Sequence, residues 1–101
     1  MVTAGANQTV LNAVLALTDA DDAVVLFAPF YFNHVMAIEM SGGSRSMEYG
    51  GCDPQTLHPD LGWLRERLLA DQSGGKPRAK MCIITNPCNP TGVNLICVQQ
   101  V

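Results

Sequence analysis

Apolar residues follow a helical period in three parts of the chain. Between residues 7 and 17 they recur every three or four positions, which predicts an amphipathic helix. The same spacing predicts a second helix over residues 30–40. A third is predicted to begin near Pro59, which a first helical turn tolerates, and to end near Ala70.

Two continuous apolar runs predict buried strands. Residues 23–28 are rich in β-branched and apolar side chains and are bounded by Asp22 and Pro29, and residues 80–85 form a similar run. A shorter strand is predicted over residues 45–49. Because helical and strand segments alternate, the pattern indicates an α/β fold with a parallel sheet.

Composition and charge narrow the class of protein. Of the 101 residues, 48% are hydrophobic and 15% are charged, which is apolar for so short a chain, so we expect some surfaces to be covered by more protein. The net charge is -3 and the six basic residues are scattered. This distribution argues against nucleic acid or a membrane as the partner, and no run approaches the roughly 18 apolar residues of a membrane span.

The cysteines show no C-x-x-C spacing. Free thiols in a reducing compartment, the cytoplasm, are therefore expected, and Cys82 is predicted to be buried in its strand. His34 and His58 are too far from any cysteine spacing to complete a zinc site, so no metal is predicted. The four cysteines are Cys52, Cys82, Cys88 and Cys97.

The first candidate site segment is residues 2–8, Val-Thr-Ala-Gly-Ala-Asn-Gln. A glycine and small residues before a helix let backbone N–H groups approach an anion, and the helix N-terminus adds a partial charge of about +0.5. The segment lacks the Gly-Lys-Ser/Thr ending of a Walker loop. The simpler alternative is an ordinary first turn capped by Asn7.

The second segment, residues 28–34, is Ala-Pro-Phe-Tyr-Phe-Asn-His and follows the first strong strand. An aromatic ring at the carboxyl end of a strand can stack on a planar cofactor. The alternative is that Phe30, Tyr31 and Phe32 are core aromatics.

The third segment, residues 86–92, is Asn-Pro-Cys-Asn-Pro-Thr-Gly and follows the second strong strand. It places polar side chains at the mouth of a sheet, where open α/β folds bind ligands. Its prolines and Gly92 are typical of a fixed turn.

In this order, the three segments resemble those of fold type I aminotransferases, which use pyridoxal 5'-phosphate (PLP), and the resemblance spans residues 2–92. It implies the partial large domain of that fold, a three-layer αβα arrangement with a mostly parallel and incomplete sheet. In the family, matching residues hold the cofactor phosphate, stack on its pyridine ring and hydrogen-bond its phenolic oxygen, where a neutral donor favours the phenolate. His34 stands where many members have tyrosine, and no role is carried over to it. The implied cofactor-binding residues are Gly5, Ala6 and Asn7 for the phosphate, Tyr31 for the ring and Asn89 for the phenolic oxygen.

The resemblance also implies an activity. Such enzymes are homodimers that move an amino group between an amino acid and a 2-oxo acid. The segments look most like those of plant-type aminotransferases of aromatic amino acids and methionine. Related aminocyclopropane-carboxylate synthases and C–S lyases stay open as alternatives, as does a non-catalytic chain that pairs with a full-length subunit. A Rossmann-like nucleotide binder would need a Gly-x-Gly-x-x-Gly motif, which the sequence lacks.

The catalytic groups of the family are not matched. In the family, the Schiff-base lysine lies beyond the turn that matches residues 86–92, here called the Asn-Pro turn. Lys76 and Lys80 are the only lysines of this sequence, and both are predicted to be exposed to solvent. No arginine matches the one that binds the substrate carboxylate, and Arg65 and Arg67 are predicted to lie on the exposed face of the third helix. We therefore assign no catalytic residue and expect a fragment that is inactive alone, with residues 1–92 as the aminotransferase part and 93–101 as a divergent tail.

Overall fold

The computed structural model describes residues 2–41, 46–71, 74 and 77–95. Its helices and strands alternate, which confirms the α/β prediction. The ends of each element differ from the predicted ends by at most two residues. Within these ranges, none of the helices has both the length and the hydrophobicity of a membrane-spanning segment. The elements are α1 (Ala6–Leu17), β1 (Asp22–Phe27), α2 (Phe32–Met40), β2 (Ser46–Gly50), α3 (Leu61–Ala70) and β3 (Arg78–Ile83).

The three strands form one parallel sheet in the order β2-β1-β3. The central strand β1 is buried on both faces, since no residue from Ala23 to Phe27 is more than 7% exposed. This explains why its sequence is a continuous apolar run without alternation.

Helices cover both faces of the sheet. On one face, Val24 and Leu26 form a buried cluster with Val14 of α1 and Ile38 of α2. On the other face, Phe27 meets Trp63 of α3 edge-on, with ring centroids 6.0 Å apart and an interplanar angle of 78°. The arrangement is the predicted partial three-layer αβα domain.

The burial of β3 differs from the prediction. Its residues alternate between exposed and half-buried, and Cys82 is exposed, so the predicted burial of Cys82 is wrong. Among the described residues β3 pairs only with β1, and a strand covered on one face alternates in this way.

The start of α3 also differs from the prediction. Asp60 is its N-cap, and a side-chain oxygen of Asp60 accepts a hydrogen bond from the backbone N–H of Trp63 at 2.9 Å. Pro59 lies outside the helix and forms an isolated bridge with Cys52. The prediction that Pro59 occupies the first turn is wrong because aspartate at the next position is a strong N-cap.

Arg67 of α3 is buried, which corrects the prediction that it lies on an exposed face; Arg65 is exposed as predicted. The Arg67 guanidinium donates to both carboxylate oxygens of Glu48 in β2, to Asp71, and to the carbonyl of Pro77. Asp71 in turn accepts from the backbone N–H of Ala79 in β3. These ion pairs raise the pKa of Arg67 and connect α3 with both outer strands.

This network makes stability depend on pH. Hydrogen bonding from Arg67, followed by that from Ala79, lowers the pKa of Asp71. A lowered folded-state pKa contributes stability that is fully present above the unfolded value of about 3.9 and is lost as the pH falls through the folded value. We expect Asp71→Asn to be less stable than the parent at pH 7 in urea unfolding, with the difference shrinking below about pH 4. A difference that is constant from pH 7 to pH 3 would contradict this assignment.

Some predictions fall outside the described residues. They concern Arg45, Lys76 and Cys97, and most of the segment 93–101. Within the described ranges, no three histidine, cysteine, aspartate or glutamate residues come together as a metal-binding group.

Candidate functional site

The three candidate segments of the sequence lie toward the carboxyl edge of the sheet. Because β1 and β3 are adjacent and parallel, the loops that follow them leave the sheet at the same edge, and these loops carry Tyr31 and Asn89. Residues 18–21 join α1 to β1, and Asn7 in the first turn of α1 lines the same groove as Asn33, which follows β1. The N-terminus of α1 therefore lies toward that edge.

The N-terminus of α1 is open. Gly5 is the N-cap residue, with φ 92° and ψ 172°, and no side chain of the described residues caps the helix, so the alternative in which Asn7 caps the turn is wrong. A positive φ suits glycine, and a Cβ built on Gly5 meets no atom of the described residues within 4 Å. The first N–H groups of a helix lack intrahelical acceptors, so those of Ala6, Asn7 and Gln8 are available to a ligand.

Side-chain hydrogen bonds hold the preceding loop against this first turn. The Gln8 Oε1 atom accepts from the Ala4 N–H at 2.5 Å. The hydroxyls of Thr3 and Thr9 are 2.6 Å apart, and the Thr3 hydroxyl donates to the Gly5 carbonyl at 3.1 Å. The loop is therefore shaped by its own residues before any ligand arrives.

Tyr31 is the N-cap residue of α2 and is half-buried. Its hydroxyl oxygen accepts a hydrogen bond from Nδ2 of Asn33 at 2.7 Å. The ring meets Phe32 and His34 edge-on, at centroid distances of 5.2 and 5.5 Å, and partial burial lowers the pKa of His34. These contacts fix the orientation of the tyrosine ring.

The core alternative applies to only one of the three aromatic residues. Phe30 packs against the buried cluster and stacks on Tyr49, with centroids 5.1 Å apart. Phe32 is 61% exposed. The exposure of Tyr31 is intermediate. The three aromatic residues are therefore adjacent in sequence but differ in burial.

The Asn-Pro turn is closed by hydrogen bonds across it. Asn86 Nδ2 donates to the Leu95 carbonyl at 3.0 Å, and the Leu95 N–H donates to Asn86 Oδ1 at 2.8 Å. Inside this pair, Cys88 N–H donates to the Val93 carbonyl and Gly92 N–H to the Cys88 carbonyl, at 2.7 and 2.6 Å. Gly92 has φ 75°, a value that favours glycine.

Asn89 lies at the outer part of this turn and is exposed, and its amide has no hydrogen-bond partner among the described residues. It lines a small cavity of about 30 Å³ with Phe27, Pro29, Phe30, Thr85 and Cys88, among others. That volume suits a single water molecule and is too small for an aromatic ring, so a ring that meets Asn89 must lie outside the cavity.

The five predicted cofactor residues do not share one cavity. Asn7 lines a separate groove of about 380 Å³ between α1 and α2, together with Gln8, Asn33 and Met36. Gly5, Ala6 and Tyr31 line neither space. The segment after β1 connects the two, since Pro29 and Phe30 face the small cavity and Asn33 faces the groove.

Sequence reasoning missed the function of Asn86 in closing the turn. The two Asn-Pro pairs look equivalent in the sequence, and only the hydrogen bonds show that one amide is engaged while the other is free. Lys80 lies away from this edge, as predicted. It lies near the start of β3, with Nζ 3.9 Å from an oxygen of Asp22 at the start of β1.

The donors at the carboxyl edge suit a phosphorylated aromatic ligand. Unpaired N–H groups at a helix N-terminus bind phosphate. A free asparagine amide can donate to an anionic oxygen, and a tyrosine of fixed orientation offers a surface for stacking. The chemistry of the residues present therefore fits pyridoxal phosphate.

Comparisons with known proteins point to one family. The sequence profile of the family "Aminotransferase class I and II" matches residues 1–99. An aromatic aminotransferase of Arabidopsis thaliana is 47% identical over 92 residues, which cover 91% of this chain and 22% of the relative. An aspartate aminotransferase of Thermotoga maritima is 30% identical over 93 residues, covering 92% of this chain and 22% of the relative.

Solved structures show the same fold. A crystal structure of aspartate aminotransferase from Thermotoga maritima superimposes with a TM-score of 0.73 at 29% identity, covering 90% of this chain and 22% of that one. The kynurenine aminotransferase of Pyrococcus horikoshii gives a TM-score of 0.78 at 24% identity, with 94% and 22% covered. The chain thus spans about a fifth of the length of the relatives it matches. It belongs to the aminotransferase class I and II family.

Proposed function

We propose that this chain forms part of the cofactor site of a PLP-dependent aminotransferase that moves an amino group between an amino acid and a 2-oxo acid. PLP is the cofactor of the family. One observation carries the proposal: the loops with Tyr31 and Asn89 follow adjacent parallel strands, and the uncapped N-terminus of α1 points to the same edge.

In this proposal, the first turn of α1 binds the cofactor phosphate. The N–H groups of Ala6, Asn7 and Gln8 donate to phosphate oxygens, and the partial positive charge of the helix N-terminus adds to the attraction. Gly5 lets the phosphate approach the backbone, because the space that a side chain would take there is open.

Tyr31 and Asn89 act on the ring. The tyrosine ring would stack on the pyridine and exclude water from that side. The Asn89 amide donates a hydrogen bond to the phenolic oxygen and so favours its deprotonated form. When bound, PLP supplies the aldehyde that accepts the amino group and a ring that withdraws electrons from the α-carbon of the amino acid.

The remaining parts of the enzyme are proposals of the same kind. An aromatic amino acid as substrate is supported by the 47% identity to the Arabidopsis aromatic aminotransferase, and methionine by a TM-score of 0.75 to an Escherichia coli methionine aminotransferase. A homodimer, a cytoplasmic location, a boundary at residue 92 and inactivity of this chain alone stay predictions. Inactivity is supported by Lys80, which pairs with Asp22 at the opposite edge.

Asn89→Ala tests the proposal directly. We expect it to weaken binding of pyridoxamine 5'-phosphate about tenfold, because a hydrogen bond to a charged oxygen is lost. This probe carries the phosphate and the phenolic oxygen but no aldehyde, so adducts with lysines do not interfere. Its fluorescence titrated with the purified 101-residue chain gives the dissociation constant.

Asn94→Ala is the matched control. Asn94 is an exposed asparagine of the same loop, and its side chain has no hydrogen-bond partner among the described residues. It should bind the probe like the parent chain. Equal affinities for the parent and Asn89→Ala would count against Asn89 as a cofactor-binding residue.

A further inference from the structure

Asn86 and Asn89 occupy equivalent places in the two Asn-Pro pairs of the turn but have different surroundings. Both polar atoms of the Asn86 amide are engaged with the backbone of Leu95, at 3.0 and 2.8 Å. The Asn89 amide has no such engagement within the described part of the chain. The bonds to Leu95 use one of the two N–H groups and one of the two lone pairs of the Asn86 amide and fix its orientation, whereas the Asn89 amide keeps its full capacity for a ligand.

Side-chain hydrogen bonds supplement the backbone hydrogen bonds of this turn. Pro87 and Pro90 carry no N–H and so cannot donate across the turn. The backbone supplies two bonds near its centre, from Cys88 and Gly92. Asn86 adds the outermost pair and ties the end of the strand segment to a residue nine positions further along the chain.

We propose that Asn86 is a positioning residue for the cofactor contact of Asn89. By closing the turn at its base, Asn86 restricts the conformations of residues 87–94 and holds the free Asn89 amide at the carboxyl edge of the sheet. This inference rests on the proposed function, because it assumes that Asn89 meets the phenolic oxygen. In this inference, Asn86 acts only through Asn89 and has no contact of its own with the cofactor.

A double-mutant cycle tests the inference. If Asn86 acts through Asn89, Asn86→Ala weakens pyridoxamine 5'-phosphate binding about five- to tenfold in the parent chain, and by less than about twofold in the Asn89→Ala background. A merely structural effect would weaken binding by the same factor in both backgrounds. Asn94→Ala again serves as the control and should leave both values unchanged.

Amide hydrogen exchange provides a readout that does not depend on the cofactor. In Asn86→Ala without ligand, the amides of Cys88, Gly92 and Leu95 should exchange faster, while those of β1 stay protected. Asn86→Asp keeps an acceptor for the Leu95 N–H but loses the donor to the Leu95 carbonyl. It should therefore fall between the parent and Asn86→Ala in both measurements.

The outcomes separate the two ideas. If Asn89→Ala weakens binding and Asn86→Ala does not, the inference is overturned and the proposed function stands. If Asn89→Ala has no effect, Asn89 is not a cofactor-binding residue, and the inference fails together with that part of the proposed function. Unchanged exchange at Cys88, Gly92 and Leu95 in Asn86→Ala also overturns the inference, whatever the affinities show.

Discussion

Replacing Arg67 with methionine is expected to lower the free energy of unfolding by about 3 kcal/mol, the largest effect that we predict for a single substitution in this chain. Arg67 is 4% exposed, while the carboxylate side chains of Glu48 and Asp71 are 19% and 18% exposed. Methionine fills similar space but leaves both carboxylates without their cation. Removing one partner of a buried ion pair costs far more than the pair contributes relative to an apolar substitute, because the remaining charge is poorly solvated.

Urea unfolding of the purified chain at pH 7 measures this loss. Arg65→Met is the matched control on the same helix, since Arg65 is exposed, and it should change stability by less than about 0.5 kcal/mol. A loss below about 1 kcal/mol for Arg67→Met would mean that water solvates the carboxylates of Glu48 and Asp71 nearly as well as the guanidinium does. The network would then be a surface feature rather than a connection between α3 and the outer strands.

Gly50→Ala is the second substitution with a large expected effect, a loss of about 2 kcal/mol. A Cβ at this position would lie 2.6 Å and 2.7 Å from two carbons of the Phe27 ring and 2.7 Å from a ring carbon of Trp63. Both rings are held by their edge-on contact, and Gly50 is paired with Phe27 in the sheet. The added methyl group therefore displaces two large side chains that neither the strand nor α3 lets move freely.

Gly51→Ala supplies the comparison at the next residue. Within the part of the chain that the structure describes, a Cβ on Gly51 meets no atom within 4 Å, and the Gly51 backbone is outside the left-handed region. Thermal unfolding should therefore leave Gly51→Ala close to the parent and show Gly50→Ala well below it. The near-ultraviolet circular dichroism of Trp63, the only tryptophan, should change in Gly50→Ala alone. Equal unfolding temperatures for the two variants would contradict the steric explanation.

The elements of the fold were predictable from local pattern. The continuous apolar run of β1 identified a strand buried on both faces, and the helical period of residues 7–17 identified α1 to within one residue. These features depend on neighbours along the chain. The parallel sheet followed from the alternation of elements.

Burial that depends on distant partners was not predictable in the same way. Arginine is a residue type that usually lies at the surface. The burial of Arg67 depends on its ion pair with Glu48, which lies nineteen residues away in the sequence. Cys82 has apolar neighbours in sequence, yet its exposure depends on which strand lies beside β3. In both cases the deciding contact lies outside the window that periodicity examines.

The candidate site shows the same division. Topology explains why Tyr31 and Asn89 follow adjacent strands, and the motifs marked both residues. The sequence could not distinguish the bound amide of Asn86 from the free amide of Asn89, because the difference lies in hydrogen bonds to Leu95. The sequence also could not show that Asn7 lines the groove between α1 and α2 while Asn89 lines the small cavity. That difference depends on how residues 29–33 pass between the two.

The unequal burial of β1 and β3 determines where this sheet can accept chemical change. Every residue from Ala23 to Phe27 contacts protein on its own face of the sheet, so a polar substitution there has no face on which to reach water. In β3, alternate positions open to solvent, and Cys82 is one of them. A spectroscopic label or an affinity tether attached to Cys82 would therefore sit at the outside of the sheet, while the same chemistry anywhere in β1 would have to break the layers apart.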